Sequence, residues 1–430
     1  MPKGELTLDN KKFYPLRPIQ RLLVDTHFKK ARSTMMNVGA LLKMSPVVDV
    51  ERLSNAIQKT LEAHDIFRCR LTVHPETQDI CQTFDGELEP VKIEKISDEE
   101  FELIRKKLLK QPYKIIDHPL YHITIFETPT AKYLNIDFYH AIMDGASIAI
   151  LFQNEINLRY NGRSMPDKFP SYAEYVEKEA QISHAELKTG HAYWRSLVSN
   201  FNREANLPPI DVRTIKLWTK GEIKTKFRNI SEEFFRKSRR SETIFFLSAC
   251  MLMLSKVTAT KNIFMKLVHS GRDNFTERRI MGLMFDSFPC NWDFSEDMTV
   301  ADFLDKFEGK IQTELVYKKS LDVVYNEGLV DDCPSFVFHK NIFNDHAMIG
   351  DTTATVIDMP PNEISAVQNS LDIKVFSKED GMYELCFDYD AGRFSRNSMK
   401  HFVANLDKVL SLMQDEKIML SKIFASIRVS

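Results

Sequence analysis

The sequence predicts an α/β protein built as two lobes of similar size with a cleft between them. Three observations lead there. The chain has 430 residues, too many for one small core when a domain takes roughly 100–200. Period-two and period-3.6 hydrophobic stretches alternate along its length, the pattern of mixed sheet and helix layers. That pattern is weakest at 199–213, "SNFNREANLPPIDVR", where a Pro-Pro pair has polar flanks. The lobes are taken as 1–185 and 186–430, and a cleft between lobes is where ligands usually bind.

The elements follow in order. The stretch 49–65, "DVERLSNAIQKTLEAHD", puts Val50, Leu53, Ile57 and Leu61 on one helical face. Strands are expected at 67–73, 79–84 and 91–95, then a helix near 97–110. Two β-rich runs, 120–127 and 132–139, read as neighbouring strands, the second ending at His140. After Gly145, "ASIAILFQNEINLRY" reads as a helix with Ile148, Leu151, Phe152 and Ile156 inward. Beyond the weak joint come strands near 222–228, helices at 231–240 and 242–257, and a strand at 263–269. A strand near 282–292, a helix at 299–318 and strands around 335–342, 372–378 and 382–389 complete the alternation. The last helix spans 395–413 with Ser395 as its N-cap.

Composition excludes several classes. Hydrophobic content of 43% and charged content of 27% are those of an ordinary globular protein. Lys+Arg of 58 against Asp+Glu of 60 gives a net charge of -2, so no overall field draws the chain to nucleic acid or an anionic membrane. The mixed run "FRKSRRSE" (235–242) reads as a solvated helix end. Six scattered cysteines form no Cys-x-x-Cys and no zinc-ligand cluster, so no metal is expected and the thiols read as reduced and mostly buried. The first residues, "MPKGELTLDNKKFYPL", hold no apolar core of a secretory signal, and a cytoplasmic location is expected. The longest apolar run, "TIFFLSACMLML" (243–254), falls short of the ~20 residues that span a bilayer and reads as a buried helix.

The chemistry concentrates in "LNIDFYHAIMDGASI", 134–148. His140 closes a strand and carries the side chain whose ordinary pKa lies near neutrality, so it can move protons. Asp144 is badly placed to reach that imidazole if the chain bends between them. Its natural tasks are to pair with an arginine or to cap the following helix at Ser147 and Ile148. Gly145 permits φ > 0 or a close approach to the backbone. No Gly-x-Ser-x-Gly elbow and no P-loop occurs, against a serine hydrolase or an NTPase. Tyr193 and Trp194 read as packing anchors, and His64, His122, His269 and His339 as structural.

Other segments surround this one in a recognisable order: "FYPLRPIQRLLVD" (13–25), "LEAHDIFRCRL" (61–71), "FPSYAEYVEKEA" (169–180), "AYWRSL" (192–197) and "HSGRDNFTERRIMGLMFDSFPCNW" (269–292). The set resembles the condensation domains of nonribosomal peptide synthetases, within the chloramphenicol-acetyltransferase-like superfamily and its His-His-x-x-x-Asp-Gly signature. The first segment is similar to the family's Ser/Ala-x-x-Gln-x-Arg-Leu motif through Gln20, Arg21 and Leu22. The second is similar to Arg-His-Glu-x-Leu-Arg through His64, Asp65 and Arg68. The last is similar to Gly-x-Phe-Val-Asn-Thr-x-Pro through Gly282, Asp286, Ser287 and Pro289. The likeness runs from about residue 13 to about 410, one whole domain of this kind.

The resemblance implies two chloramphenicol-acetyltransferase-like lobes in a V-shaped pseudo-dimer with a tunnel between them. His140 then falls on the catalytic histidine, Asp144 on the structural aspartate and Gly145 on the motif glycine, with Arg68 and Arg272 as candidate partners for Asp144. Tyr139 replaces the first signature histidine, Asp65 a glutamate, and Asp286-Ser287 an Asn-Thr pair; Tyr139, Asp286 and Ser287 would line the tunnel. The implied reaction is amide formation from a carrier-protein-bound acyl or aminoacyl thioester and an amine acceptor. His140 either takes the nucleophile's proton or orients the nucleophile. No cofactor of its own is implied; the donor would ride on a phosphopantetheine arm or on CoA. The chain length leaves no room for an adenylation or carrier domain, so carrier proteins are expected to act in trans on a monomer, with neither nucleic acid nor membrane as partner. Two other readings stay open: an O-acyltransferase with an alcohol acceptor, and a silent module that only docks carriers. The chain lacks the late Asp-Phe-Gly-Trp segment of plant-type acyltransferases of this superfamily.

Overall fold

The computed structural model describes residues 7–8, 11–29, 34–166, 168–212, 219–340, 346–360 and 369–428. The chain divides into two compact units. The first is Met1–Ile182 with Ser270–Phe285 and Ile342–Glu363; the second is Ser183–His269 with Asp286–Asn341 and Ile364–Ser430. This differs from the two continuous segments, 1–185 and 186–430, drawn from the sequence. Two late stretches return to the first unit because their partners lie there. Strand Thr352–Asp358 bonds to Asn37–Met44, and Arg272 is bound to Asp144. The described residues 199–212 lie within the second unit rather than at its edge. Among them, Asn206 is buried in the second unit and its Oδ1 accepts from the Phe264 amide; residue 213 lies outside the described residues.

The first unit carries a six-stranded sheet in the order His346–Ile349, Thr352–Asp358, Asn37–Met44, Lys132–Tyr139, Tyr121–Glu127, Lys92–Lys95. All neighbours run antiparallel except the last pair. Lys132–Tyr139 is central and alternates. Leu134, Ile136 and Phe138 enter the core with Leu53, Ile57 and Leu61 of helix Val50–Ala63, which starts where the Asp49 side chain accepts from the Arg52 amide. Asn135, Asp137 and Tyr139 take the opposite face, also buried. The helix expected after Gly145 is helical throughout, but it passes from α (Gly145–Ala149) to π (Ile150–Ile156) and back to α (Asn157–Tyr160). Helix Pro18–Lys29, strand Asn37–Met44 and the hairpin His346–Asp358 were not read from the sequence.

The second unit has its own mixed six-stranded sheet: Lys220–Ser231, Met382–Asp390, Leu371–Ser377, Ser335–His339, Asn262–His269, Asp286–Asp293. Helices Glu242–Thr258, Val300–Val316 and Arg396–Met413 supply its core, the last capped by Ser395. Glu242–Thr258 is buried from Ile244 to Ser255, and no single helix among the described residues is long and apolar enough to cross a membrane. The strand expected at 282–292 begins only at Asp286, because the preceding amides are used elsewhere. The strand expected at 335–342 stops at His339; 341–342 lie outside the described residues.

Burial pushes the Asp137 carboxyl up to about 7, against the Asn37 hydrogen bond that pulls it down. The folded state therefore holds a proton that the unfolded chain, near ~3.9, has released. Stability from this group is complete below the unfolded value and is lost as pH rises towards 7. Asp137→Asn should flatten that dependence and leave the protein on the order of 2–4 kcal/mol more stable above neutrality. Urea unfolding of both proteins from about pH 5 to about pH 8 measures it.

Candidate active site

The central strand ends at Tyr139, and the amide of His140 donates to Met36 O, which turns the chain out of the sheet. His140 Nδ1 lies 2.8 Å from the carbonyl of Met143. A carbonyl only accepts, so Nδ1 carries the hydrogen and the lone pair of the neutral ring sits on Nε2. Burial holds the imidazole pKa below its ordinary value, outweighing the Met143 carbonyl and the Asp144 charge, which pull it up. The residue is half-buried, and its ring packs against Phe285 with centroids 5.5 Å apart. Its Nε2 is a nitrogen acceptor whose direction the Met143 contact fixes.

Asp144 is 3% exposed and serves as the N-cap of Gly145–Ala149, accepting from the Ser147 amide at 2.8 Å. Of the two candidate arginines, Arg272 is its partner. Nη1 donates to Oδ2 at 2.8 Å and Nη2 to Oδ1 at 3.1 Å, a bidentate pair. The amides of Met284 and Phe285 donate to Oδ2 at 2.9 and 3.3 Å. Burial alone would raise this carboxyl. The Arg272 charge and these donors hold it below the usual range. Arg68 is elsewhere: its guanidinium makes one long contact, 3.5 Å, to the Gly86 carbonyl.

Ser147 ties the same knot. Its hydroxyl accepts from Arg272 Nη2 at 2.7 Å and from the Gly282 amide at 3.0 Å, and donates to the Gly282 carbonyl at 2.8 Å. Gly282 has φ +152°, and a Cβ there would sit 2.1 Å from the Tyr172 ring. Tyr172 and Arg17 both donate to the Leu283 carbonyl at 2.8 Å. Sequence reasoning named Ser147 only as a capped amide and gave Tyr172 and Arg17 no role. Their signal was spatial: each meets the returning segment 270–285.

The other residues singled out in the sequence are placed as follows. Gly145 is the first helical residue and has no positive φ. Tyr139, expected on a substrate path, has no exposed surface and packs against His27 and Tyr113. Asp65 braces the start of helix Tyr172–Ala180, whose N-cap is Ser171, by accepting from the Tyr172 and Ala173 amides at 3.0 and 2.9 Å. Asp286 and Ser287 open an edge strand of the second unit, where Ser287 exchanges backbone hydrogen bonds with the Tyr325 hydroxyl. Among the described residues, one group of metal-ligating types, Glu222, Cys386 and Asp388, lies close together. Its carboxylates are already ion-paired with Lys220, Lys224 and Lys374.

With this geometry in place, comparison with known proteins defines the class. The Condensation domain family model matches residues 10–416. Surfactin synthase subunit 2 of Bacillus subtilis (strain 168) is 22% identical over 90% of this chain, and the match spans 10% of that synthase. Two solved structures share the fold. The condensation domain of the Monacolin K polyketide synthase MokA has a TM-score of 0.75 at 17% identity, covering 97% of this chain and 100% of that one. A variant of the starter condensation domain of rhizomide synthetase RzmA gives 0.74 at 15%, covering 95% and 96%. The chain belongs to the condensation-domain family, acyltransferases of nonribosomal peptide synthesis.

Removing Arg272 would leave a buried carboxylate uncompensated. Arg272→Ala should cost about 3–5 kcal/mol of unfolding free energy, whereas Arg68→Ala should stay within about 1 kcal/mol. Equilibrium urea denaturation of the two variants separates the candidates.

Proposed function

We propose that this chain joins an acyl group, presented as a thioester, to an amine, and that His140 is the reaction centre. One observation carries the assignment: the Met143 carbonyl holds Nδ1–H, so a neutral imidazole presents its Nε2 lone pair as an acceptor. The amine nitrogen attacks the thioester carbonyl carbon; a C–N bond forms, the C–S bond breaks, and the thiol departs. Nε2 takes the ammonium proton as the amine attacks, or hydrogen-bonds the amine into line, and can pass that proton to the leaving sulfur. Asp144 has no part in proton transfer, since its oxygens are committed to Arg272, Ser147, Met284 and Phe285. The donor arrives on the phosphopantetheine arm of a carrier protein or as acyl-CoA. The RzmA domain, whose structure holds C8-CoA and Leu-SNAC, supports this donor class.

The test offers acyl-CoA and an acyl-loaded carrier with panels of amines and alcohols and follows product mass. Amide product supports the reading; ester product alone, or carrier binding without turnover, refutes it. His140→Ala should lower the rate by ~10²–10⁴-fold, and a wild-type rate would remove His140 from the reaction. The wild-type rate should fall on the acid side only below the ordinary imidazole value of ~6.5, because burial disfavours the protonated ring.

A further inference from the structure

Behind the His140 loop lie two glutamines with no exposed surface, Gln20 on helix Pro18–Lys29 and Gln82 on strand Ile80–Thr83. Their amides face each other reciprocally, each Nε2 donating to the other's Oε1 at 3.1 Å. The remaining capacity is filled by fixed partners. Gln20 Nε2 donates to the Ala141 carbonyl at 2.9 Å, and its Oε1 accepts from the Arg17 amide at 3.0 Å. Gln82 Nε2 donates to the Pro15 carbonyl at 2.9 Å, and the Cys69 thiol lies 3.7 Å from its Oε1.

Neither amide can turn over. Rotating Gln20 would set its oxygen against the Ala141 carbonyl, and rotating Gln82 would do the same at Pro15. A buried amide left unpaired costs about 1–3 kcal/mol, so the pair acts as one rigid unit. It joins the Pro15 backbone to the residue that directly follows His140.

We propose that the Gln20–Gln82 pair is a positioning device for His140, and that Gln82, which among the described hydrogen bonds has none to His140 or its loop, is a positioning residue acting through Gln20. This rests on His140 being the reaction centre. The carbonyl of Ala141 sits between two other anchors of the same turn, the His140 amide on Met36 and the ring on Met143. Without Gln20 the turn loses its only side-chain tether on that residue among the described hydrogen bonds. The Nε2 lone pair then samples directions that do not meet the nucleophile. Displacements of about 1 Å cost reactions of this kind on the order of 10²-fold.

The experiment uses Gln82→Met, which keeps length and volume but removes both donors. Its kcat, normalised to the folded fraction from circular dichroism, should fall by roughly 10- to 100-fold, with KM for donor and acceptor within about twofold. The loss should vanish in a His140→Ala background, since the effect passes through the imidazole. Gln20→Leu, which severs the Ala141 contact directly, should give a similar kcat loss and add nothing to Gln82→Met. A wild-type kcat for Gln82→Met, or a loss of undiminished size in the His140→Ala background, overturns the proposal while leaving the parent reading intact. A wild-type rate for His140→Ala alone overturns the parent reading instead, and this proposal with it.

Discussion

The buried pair between Asp144 and Arg272 organises everything around the candidate reaction centre. A carboxylate with 3% exposure is costly to desolvate and persists only if well compensated. Here the compensation comes from parts of the chain far apart in sequence: a guanidinium 128 residues away and the amides of Met284 and Phe285 still further along. The carboxylate thus collects the segment 270–285 and holds it in the first unit, although the strands on either side of that segment belong to the second. An apolar replacement of similar volume would specify no direction. The bidentate fork and the Ser147 bridge fix where Phe285 stands, and Phe285 is the ring beside His140.

The same commitments decide the chemistry by exclusion. A carboxylate near a histidine invites a relay reading, in which the acid orients the imidazole. Asp144 has no acceptor capacity left for that task, because five donors already occupy its two oxygens. The imidazole is oriented instead by a backbone carbonyl three residues on, a neutral acceptor. A neutral acceptor stabilises the imidazolium far less than a paired carboxylate would, and burial lowers the ring's pKa further. The result is an imidazole that favours its neutral form.

The legible parts of the fold were those whose pattern is local. Alternation in 132–139 and the helical face Val50, Leu53, Ile57, Leu61 report burial on one side, and both elements stand where the sequence puts them. Asn37–Met44 escaped because it lies between two strands, with Gly39 against the Ile136 carbonyl; its apolar residues do not alternate cleanly, and long-range pairing sets its register. The hairpin His346–Asp358 completes that sheet from far along the chain and leaves no nearby signature. At the site, the residue types were readable and the partnerships were not. Arg68 and Arg272 were equal candidates on sequence grounds, and only the return of 270–285 distinguishes them. The strand expected from 282 failed for the same reason, its first amides being spent on Asp144.

Tyr139 is the position where this chain departs from its family's signature, and strand geometry explains why the departure is tolerable. Side chains alternate along Lys132–Tyr139, so Tyr139 shares a face with Asn135 and Asp137, opposite the helix-packed core. Its ring meets His27 and Tyr113 edge-on or tilted, it has no exposed surface, and burial raises its hydroxyl pKa. A phenol in that setting stays protonated and out of reach of a substrate. Among the described residues its hydroxyl has no hydrogen-bond partner, so the oxygen is a cost borne by the fold rather than a group offered to the reaction. What position 139 controls is the packing behind the strand end. The nitrogen acceptor stands at the next residue, where the Met143 carbonyl holds the Nδ1–H of His140 and leaves the lone pair of the neutral ring on Nε2.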